Sequence, residues 1–331
     1  MVALTPTIEP QAVVTAGIRT EPARCCICGN APSRTVARGR DFEYDTSRDE
    51  WRMDRCDSCG VSILNPRPSE DEFHRVYPPH YHAFQFDAKQ FRFVYRVRRW
   101  LEARRLLALL CEVPTDARIL DVGCGDGFHL DLLREFGLPT WRLEGIDASE
   151  RAVAHAKSRG LTVSLGTVAD CAIPPNCVDA VILIMTVEHL SDPATTLAQI
   201  AKLLSPGGRL LVVTDNAKSI DTHLFGKRTW GGYHFPRHTY LFDKHSLAKL
   251  AVNAGFTTLQ LRTIVSPVNW VYSIRNWFVD RRWPNWLVNQ FSLTKPIPLA
   301  AFTILDNVLC LFNRGALLQG MFVKLQKGSS S

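Results

Sequence analysis

From Arg118 onward, short apolar runs alternate with stretches of helical periodicity, the pattern of strand–helix–strand units. Ile119–Val122 predicts a strand, Phe128–Phe136 a helix and Arg142–Ile146 a second strand. Val178–Ile184 is a near-continuous apolar run, as expected of a central parallel strand covered on both faces. Ser191-Asp192-Pro193 marks a helix start, a capping side chain with proline in the first turn. That helix runs through Ile200 to Leu204 and stops at Ser205-Pro-Gly-Gly208. A strand over Leu210–Thr214, a helix over Ser246–Ala254 ended by Gly255, and a last strand near Leu318–Leu325 complete the series. The pattern predicts an α/β fold with a doubly wound sheet. Ahead of it stand a mobile leader (1–24), a Cys-, Arg- and Asp-rich module (25–65) and a linker ending in a basic amphipathic helix (66–115). The α/β domain takes 116–331, with a helical insertion at 266–314.

The 331 residues are 46% hydrophobic and 21% charged, which excludes disordered and fibrous classes. The leader has neither the basic start nor the apolar run of a signal peptide. The longest apolar stretch, Leu299–Phe312, is too short to span a bilayer. The ten cysteines do not form a secreted framework; two Cys-x-x-Cys pairs with scattered thiols point to a reducing, cytoplasmic setting.

Cys25-Cys-Ile-Cys28-Gly29 and Cys56-Asp-Ser-Cys59-Gly60 are matched turns separated by 27 residues. Two cysteines at this spacing sit on one tight turn, and the glycine behind them permits its left-handed backbone. Cys25, Cys28, Cys56 and Cys59 thus compose a closed four-thiolate set of the kind that holds a structural Zn²⁺. Cys26 breaks the spacing, and a dithiol redox pair is the rival reading.

Arg118-Ile-Leu-Asp121-Val-Gly123-Cys-Gly125-Asp-Gly127 runs a strand into a glycine-rich turn and a helix. Such a turn lets backbone approach a ligand, with the helix offering free N–H groups. The spacing Gly-x-Gly-x-Gly, with Phe128 following, departs from the dinucleotide pattern. Asp147, at the end of the next strand, is placed to accept both hydroxyls of a ribose.

Four motifs in this order and spacing resemble the class I S-adenosylmethionine-dependent methyltransferases over roughly 118–262: Asp121-Val-Gly-Cys-Gly-Asp-Gly127, Gly145-Ile-Asp147-Ala-Ser149, Val178–Ile184 and Leu204-Ser-Pro-Gly-Gly-Arg209. The resemblance implies a Rossmann-like sheet and S-adenosylmethionine as cofactor. By the same resemblance, Gly123, Gly125 and Gly127 hold its methionine end, Asp121 belongs to the cofactor set, Asp147 holds the ribose, and Thr167 and Val168 lie against the adenine. The acidic residue common near the third strand's end has no clear counterpart; Asp170 follows Gly166-Thr-Val168. The arrangement also resembles a bacterial branch in which a Cys-x-x-Cys-Gly zinc module precedes the catalytic domain. There the link is similar to Asn65-Pro-Arg-Pro68 with Tyr77 and Tyr81, and a downstream segment is similar to Trp230–Phe242. Related enzymes are associated with sugar, glycan or secondary-metabolite pathways, which implies a small-molecule or glycan acceptor.

Chemistry in an open α/β sheet belongs at the carboxyl ends of its strands. His189, just past Val178–Ile184, is the first candidate base for an acceptor hydroxyl, against a reading in which it lines the cofactor pocket. Glu188 orients the loop or the cofactor. Tyr233, His234, Arg237 and His238 form a second set on a loop that Gly231-Gly232 renders mobile. There His238 is a second catalytic candidate and Arg237 a bidentate partner for phosphate or carboxylate; a packed surface loop is the bland alternative. Carbon methylation through an enolate stays open.

Trp270, Trp277, Trp283 and Trp286, interleaved with Arg275, Arg281 and Arg282, suit peripheral membrane contact through 266–314 or a capped hydrophobic substrate site, against the plainer reading of a helical insertion packed on the domain or a dimer contact. Arg92, Arg96, Arg98, Arg99, Arg104 and Arg105 alternate with Phe93, Val97, Trp100 and Leu101, as on an amphipathic helix with a solvated basic face. That stretch and the net charge of +7 leave RNA open as an alternative acceptor. A non-catalytic adaptor with a retained nucleoside pocket is the third reading.

Overall fold

The structure, a computed structural model, describes residues 17–78 and 92–325. Tyr81, the leader up to residue 16 and the Gly328–Ser331 tail lie outside the described residues, as do the side chains of Arg92, Phe93, Val97 and Arg98.

Residues 17–24 are part of the fold, contrary to the expected leader. Strand β1 (Thr20–Glu21) pairs with β5 (Arg67–Pro68), and Ile18 and Ala23 are buried. Between them β2 (Arg34–Gly39), β3 (Trp51–Arg55) and β4 (Ser62–Leu64) form an antiparallel sheet. The short helix α1 (Phe73–Val76) follows, and then α2 (Arg92–Leu109) lays Ala103, Leu106 and Leu109 onto the main sheet. On α2, Arg99 pairs with Glu135 and Arg105 with Glu102, so the predicted basic face is partly neutralised.

The main sheet begins with β6 (Arg118–Val122), α3 (Phe128–Phe136), β7 (Arg142–Asp147), α4 (Glu150–Ser158), β8 (Val163–Leu165) and β9 (Val178–Ile184). Helix α5 (Pro193–Leu203) is capped by Asp192, whose side chain accepts from Thr195 N. Then come β10 (Leu204–Asp215), α6 (Ile220–Phe225), β11 (Tyr240–Leu241), α7 (Lys244–Asn253) and β12 (Phe256–Ile264). Helices α8 (Pro267–Asp280), α9 (Asn285–Val288) and α10 (Pro296–Leu311) precede the last strand, β13 (Leu317–Lys324).

Seven strands lie in the order β12-β13-β10-β9-β6-β7-β8, a Rossmann-like arrangement. β6 to β10 are parallel, and β13 alone runs antiparallel to both its neighbours. Chain order reverses between β6 and β9, so the crevice lies at their carboxyl ends. The 25–65 module shares its sheet: β11 adds to β4, with Tyr240 opposite Ile63, so a segment of the α/β domain completes the small sheet. All ten cysteines are free of disulfides, and no helix among the described residues is long and apolar enough to cross a membrane.

Candidate functional site

β6 delivers the chain into a turn of three left-handed glycines, Gly123, Gly125 and Gly127, with φ of 71°, 54° and 84°. The amides of Gly123 and Cys124 donate to Ile146 O, which fixes the turn against β7. A β-carbon at Gly123 would overlap Thr186 and one at Gly127 would overlap Leu161. At Gly125 it would meet nothing within 4 Å, so this is the turn's open side. Asp147 stands across it, Oδ2 accepting from Gly125 N and Oδ1 from Ser149 N, each at 2.8 Å. Burial raises its carboxyl above the ordinary range. Asp121 is buried beneath the turn, its Oδ2 accepting no hydrogen bond among the described residues with His129 Nδ1 4.0 Å away, and burial, helped by Asp147 and opposed by His129, pushes it up to about 7. Thr167 caps a short 3-10 turn that starts at buried Val168, and its N and Oγ1 both donate to Asp170 Oδ2 at 2.8 Å. Asp170 therefore serves the turn itself.

Beyond β9 the chain turns at Met185, whose φ is 54°, and carries Thr186, Val187 and Glu188 into the interior. Glu188 Oε2 accepts from Thr214 Oγ1 at 2.8 Å, while Oε1 accepts no hydrogen bond among the described residues; burial raises the carboxyl to about 7. Glu188 O accepts from the amides of Thr239 and Tyr240, which ties this loop to the segment ahead of β11. His189 Nδ1 lies 3.1 Å from Tyr77 Oη and 3.2 Å from Arg237 O. His238 Nδ1 lies 2.8 Å from Gly232 O and 3.4 Å from Asp215 Oδ2. The two imidazole centroids are 4.6 Å apart. Burial, with His234 adding, holds His189 down at about 3, and burial with the neighbouring His189 holds His238 well below its ordinary value. Both rings are neutral at physiological pH. Each Nδ1 faces a carbonyl oxygen and so carries the proton, leaving Nε2 as the basic lone pair.

A family model described as a methyltransferase domain matches residues 91–261, just over half of the chain. The chain belongs to this methyltransferase family. A protein of Mycolicibacterium smegmatis named "Probable S-adenosylmethionine-dependent methyltransferase" is 32% identical over 140 residues, 42% of this chain and 51% of that relative. A ubiquinone biosynthesis O-methyltransferase of Cereibacter sphaeroides is 31% identical over 170 residues, 47% of this chain and 67% of its own length. The chain spans about half the length of the first of these relatives. A solved sarcosine dimethylglycine methyltransferase structure from Galdieria sulphuraria, titled as a candidate for that activity, superposes with a TM-score of 0.47 at 16% identity, covering 69% of this chain and 86% of that one.

In this methyltransferase the expected substrate loop is corrected in three places. Tyr233 is core: its ring stacks on Phe235 and its hydroxyl donates to Gly226 O. Arg237 is fully buried, its Nη1 and Nη2 on the two oxygens of Asp41 at 3.2 and 2.8 Å, with Tyr44 stacked 4.4 Å from the guanidinium. It is a structural cation and no clamp for an incoming anion. Gly231 and Gly232 do not loosen the loop but let it pack, Gly231 N donating to Ser273 Oγ and Gly232 lying against the Trp230 ring. His234, at φ 39°, pairs with Glu43 Oε2 at 2.8 Å and joins the histidine cluster at its edge. Sequence reasoning missed Asp41, Glu43 and Tyr44, which had no motif, and Asp215. The last could have been found at the carboxyl end of the apolar run Leu210–Thr214 by the rule that pointed to His189.

Cys25, Cys28, Cys56 and Cys59 come together from two like turns. Gly29 N donates to Cys25 O and Gly60 N to Cys56 O, both at 2.8 Å, with φ of 73° and 74° at the glycines. All four sulfurs lie within 4.8 Å of one another, and Cys28 and Cys56 stand at 3.6 Å. Cys26 lies outside the cluster.

Proposed function

We propose that this chain transfers a methyl group from S-adenosylmethionine to a hydroxyl, or an activated carbon, of a small molecule such as a sugar, glycan or secondary metabolite. The observation that carries the reading is the His189–His238 pair, centroids 4.6 Å apart with each Nδ1 on a carbonyl oxygen, one ring past the end of β9 and the other just ahead of β11. The cofactor supplies an electrophilic methyl on a sulfonium. The glycine turn fits it: Gly125 is open where a β-carbon would meet nothing, and Asp147 stands ready to exchange Gly125 N for ribose hydroxyls. Gly123 and Gly127 then cradle the methionine end beside Asp121, and Thr167 and Val168 border the adenine.

Methyl transfer is an in-line displacement, so positioning supplies much of the rate. His189 is placed to accept the acceptor's proton at Nε2. The Arg237 carbonyl and Tyr77 hydroxyl fix its ring. Asp215, 3.4 Å from His238 Nδ1, and Glu188 are carboxyls that burial pushes above their ordinary range, and losing a proton from either would compensate an imidazolium once formed. A relative named for O-methylation supports the hydroxyl acceptor.

The four-thiol cluster fits a structural Zn²⁺: tetrahedral bonds of ~2.3 Å place sulfurs nearly 4 Å apart, close to the Cys28–Cys56 spacing. The cysteine pattern, two Cys-x-x-Cys pairs with the other thiols scattered, supports a reducing, cytoplasmic setting.

The test is calorimetric titration with S-adenosylhomocysteine, then product release from S-adenosylmethionine over a panel of hydroxylated acceptors. Micromolar binding that Asp147→Ala abolishes, with no binding of NAD, is expected. A folded sample that binds no S-adenosylhomocysteine would overturn this reading; one that binds it but turns over no acceptor would favour the adaptor. Product formation only with RNA would move the acceptor to nucleic acid.

A further inference from the structure

Helix α10 presents its solvent side as an unbroken apolar stripe. Ile297, Ile304, Leu311 and Phe312 are 80%, 69%, 81% and 71% exposed, and Leu305 and Val308 continue the same face with Ala300 and Ala301. At 100° per residue these positions share one arc of about 140°. The opposite face is the one that packs: Phe302 stacks on Trp270 of α8, and Asp306 is buried. Asp306 accepts from the amides of Ser266 and Ala316 and from the Trp270 indole, so the only acid of the helix is spent inside the fold. An ordinary surface helix shows the reverse distribution.

The surroundings select the occupant. Between residues 281 and 314 the exposed charges are Arg281, Arg282, Lys295 and Arg314, all positive. Trp283 and Trp286, the latter 68% exposed, sit beside the first two cations. Two copies of this chain meeting through the face in an isologous contact would bring like charges together. An anionic lipid surface is complementary to both features, apolar residues and tryptophans entering the acyl boundary while cations meet headgroups.

We propose that α10, with the Arg281–Trp286 corner, docks this protein on an anionic bilayer surface, the helix lying in the interfacial plane. Through α8, whose Ser273 holds Gly231 of the histidine-bearing loop, the docked face is one helix away from the site. The proposal is independent of the methyl-transfer reading, since lipid binding is measured without cofactor or acceptor.

The test is co-sedimentation of the full chain with vesicles of phosphatidylcholine alone or with about a third phosphatidylglycerol. Affinity at least ~10-fold higher for the anionic vesicles is expected, the preference disappearing in high salt. Leu311→Ser with Phe312→Ser should abolish binding, and Arg281→Gln with Arg282→Gln should remove only the anionic preference. Both pairs are exposed, and unchanged circular dichroism confirms their fold. Independently of any variant, brominated acyl chains should quench the unaltered protein's tryptophan emission. Absence of sedimentation with anionic vesicles, or of quenching, overturns the proposal. So does a concentration-dependent dimer that the serine pair dissolves, which would assign the face to a second copy.

Discussion

Asp41→Asn removes the charge that holds Arg237 in the interior. In the folded protein, burial alone would raise the Asp41 carboxyl, but the Arg237 charge and hydrogen bonds outweigh it and bring it from 3.8 to about 2. That depression corresponds to roughly 2 kcal/mol favouring the charged carboxylate. The substitution costs more than this, because it also strands a guanidinium that has no exposure to water. Breaking a buried pair from one side typically costs about 3–5 kcal/mol, a large part of the ~5–15 kcal/mol that stabilises a domain. The Asp41 amide hydrogen bonds from Glu43, Tyr44 and Thr46 survive in part, since asparagine keeps one acceptor oxygen, which favours the lower end. Urea denaturation at pH 7 should therefore show a loss near 3 kcal/mol. A carboxyl whose folded value lies below its unfolded one contributes stability above about 4 that disappears as pH falls towards 2, and the variant should lack that segment of the profile. Binding of S-adenosylhomocysteine should change less than twofold, because Gly125 and Asp147 lie on other elements. A loss below 1 kcal/mol, or an unchanged acid limb, would refute the reasoning.

His189→Gln should lower the methyl-transfer rate by about 10²–10⁴ with S-adenosylhomocysteine affinity unchanged, measured by single-turnover kinetics once an acceptor is found. Glu188 has a folded value raised to about 7 by burial, so the protein should lose stability as pH rises from about 4.5 through 7. Glu188→Gln should flatten that slope in urea melts taken across the range. Elemental analysis should find one zinc per chain, and Cys56→Ser should lose it together with a fall in melting temperature.

The parts of this fold legible in the sequence are those governed by local rules. β9 runs over Val178–Ile184 and α3 over Phe128–Phe136, as their periodicity predicts. The glycine turn was legible because three left-handed positions in five residues leave few alternatives. β10 was read short: a proline and two glycines suggested a loop, yet pairing with β9 begins at Leu204 and resumes at Arg209 across an irregularity. Arg237 was misread for a different reason. Its partner lies 196 residues away in a loop without a motif, so nothing local distinguishes a buried arginine from one waiting for substrate. β11 is two residues long and has no periodicity of its own; only β4 gives it a place.

The cysteine turns and the histidine pair are joined through the small sheet. Cys56–Gly60 is the turn between β3 and β4, and β4 carries β11 at its edge. Immediately before β11 stand Arg237 and His238, and the Arg237 carbonyl fixes the His189 ring. From the other side the loop after β2 supplies Asp41 and Glu43 to Arg237 and His234. An ion closing the four thiols would thus set the hairpin that carries β11, and with it the segment whose Arg237 carbonyl holds the His189 ring, while the glycine turn and Asp147 belong wholly to the parallel sheet. The shared sheet pairs the β4 edge and buries Ile63 with Tyr240 and Phe242, and it also couples the cysteine module to the segment bearing His238. Through that coupling the cysteine module would stabilise acceptor-side geometry and not cofactor binding.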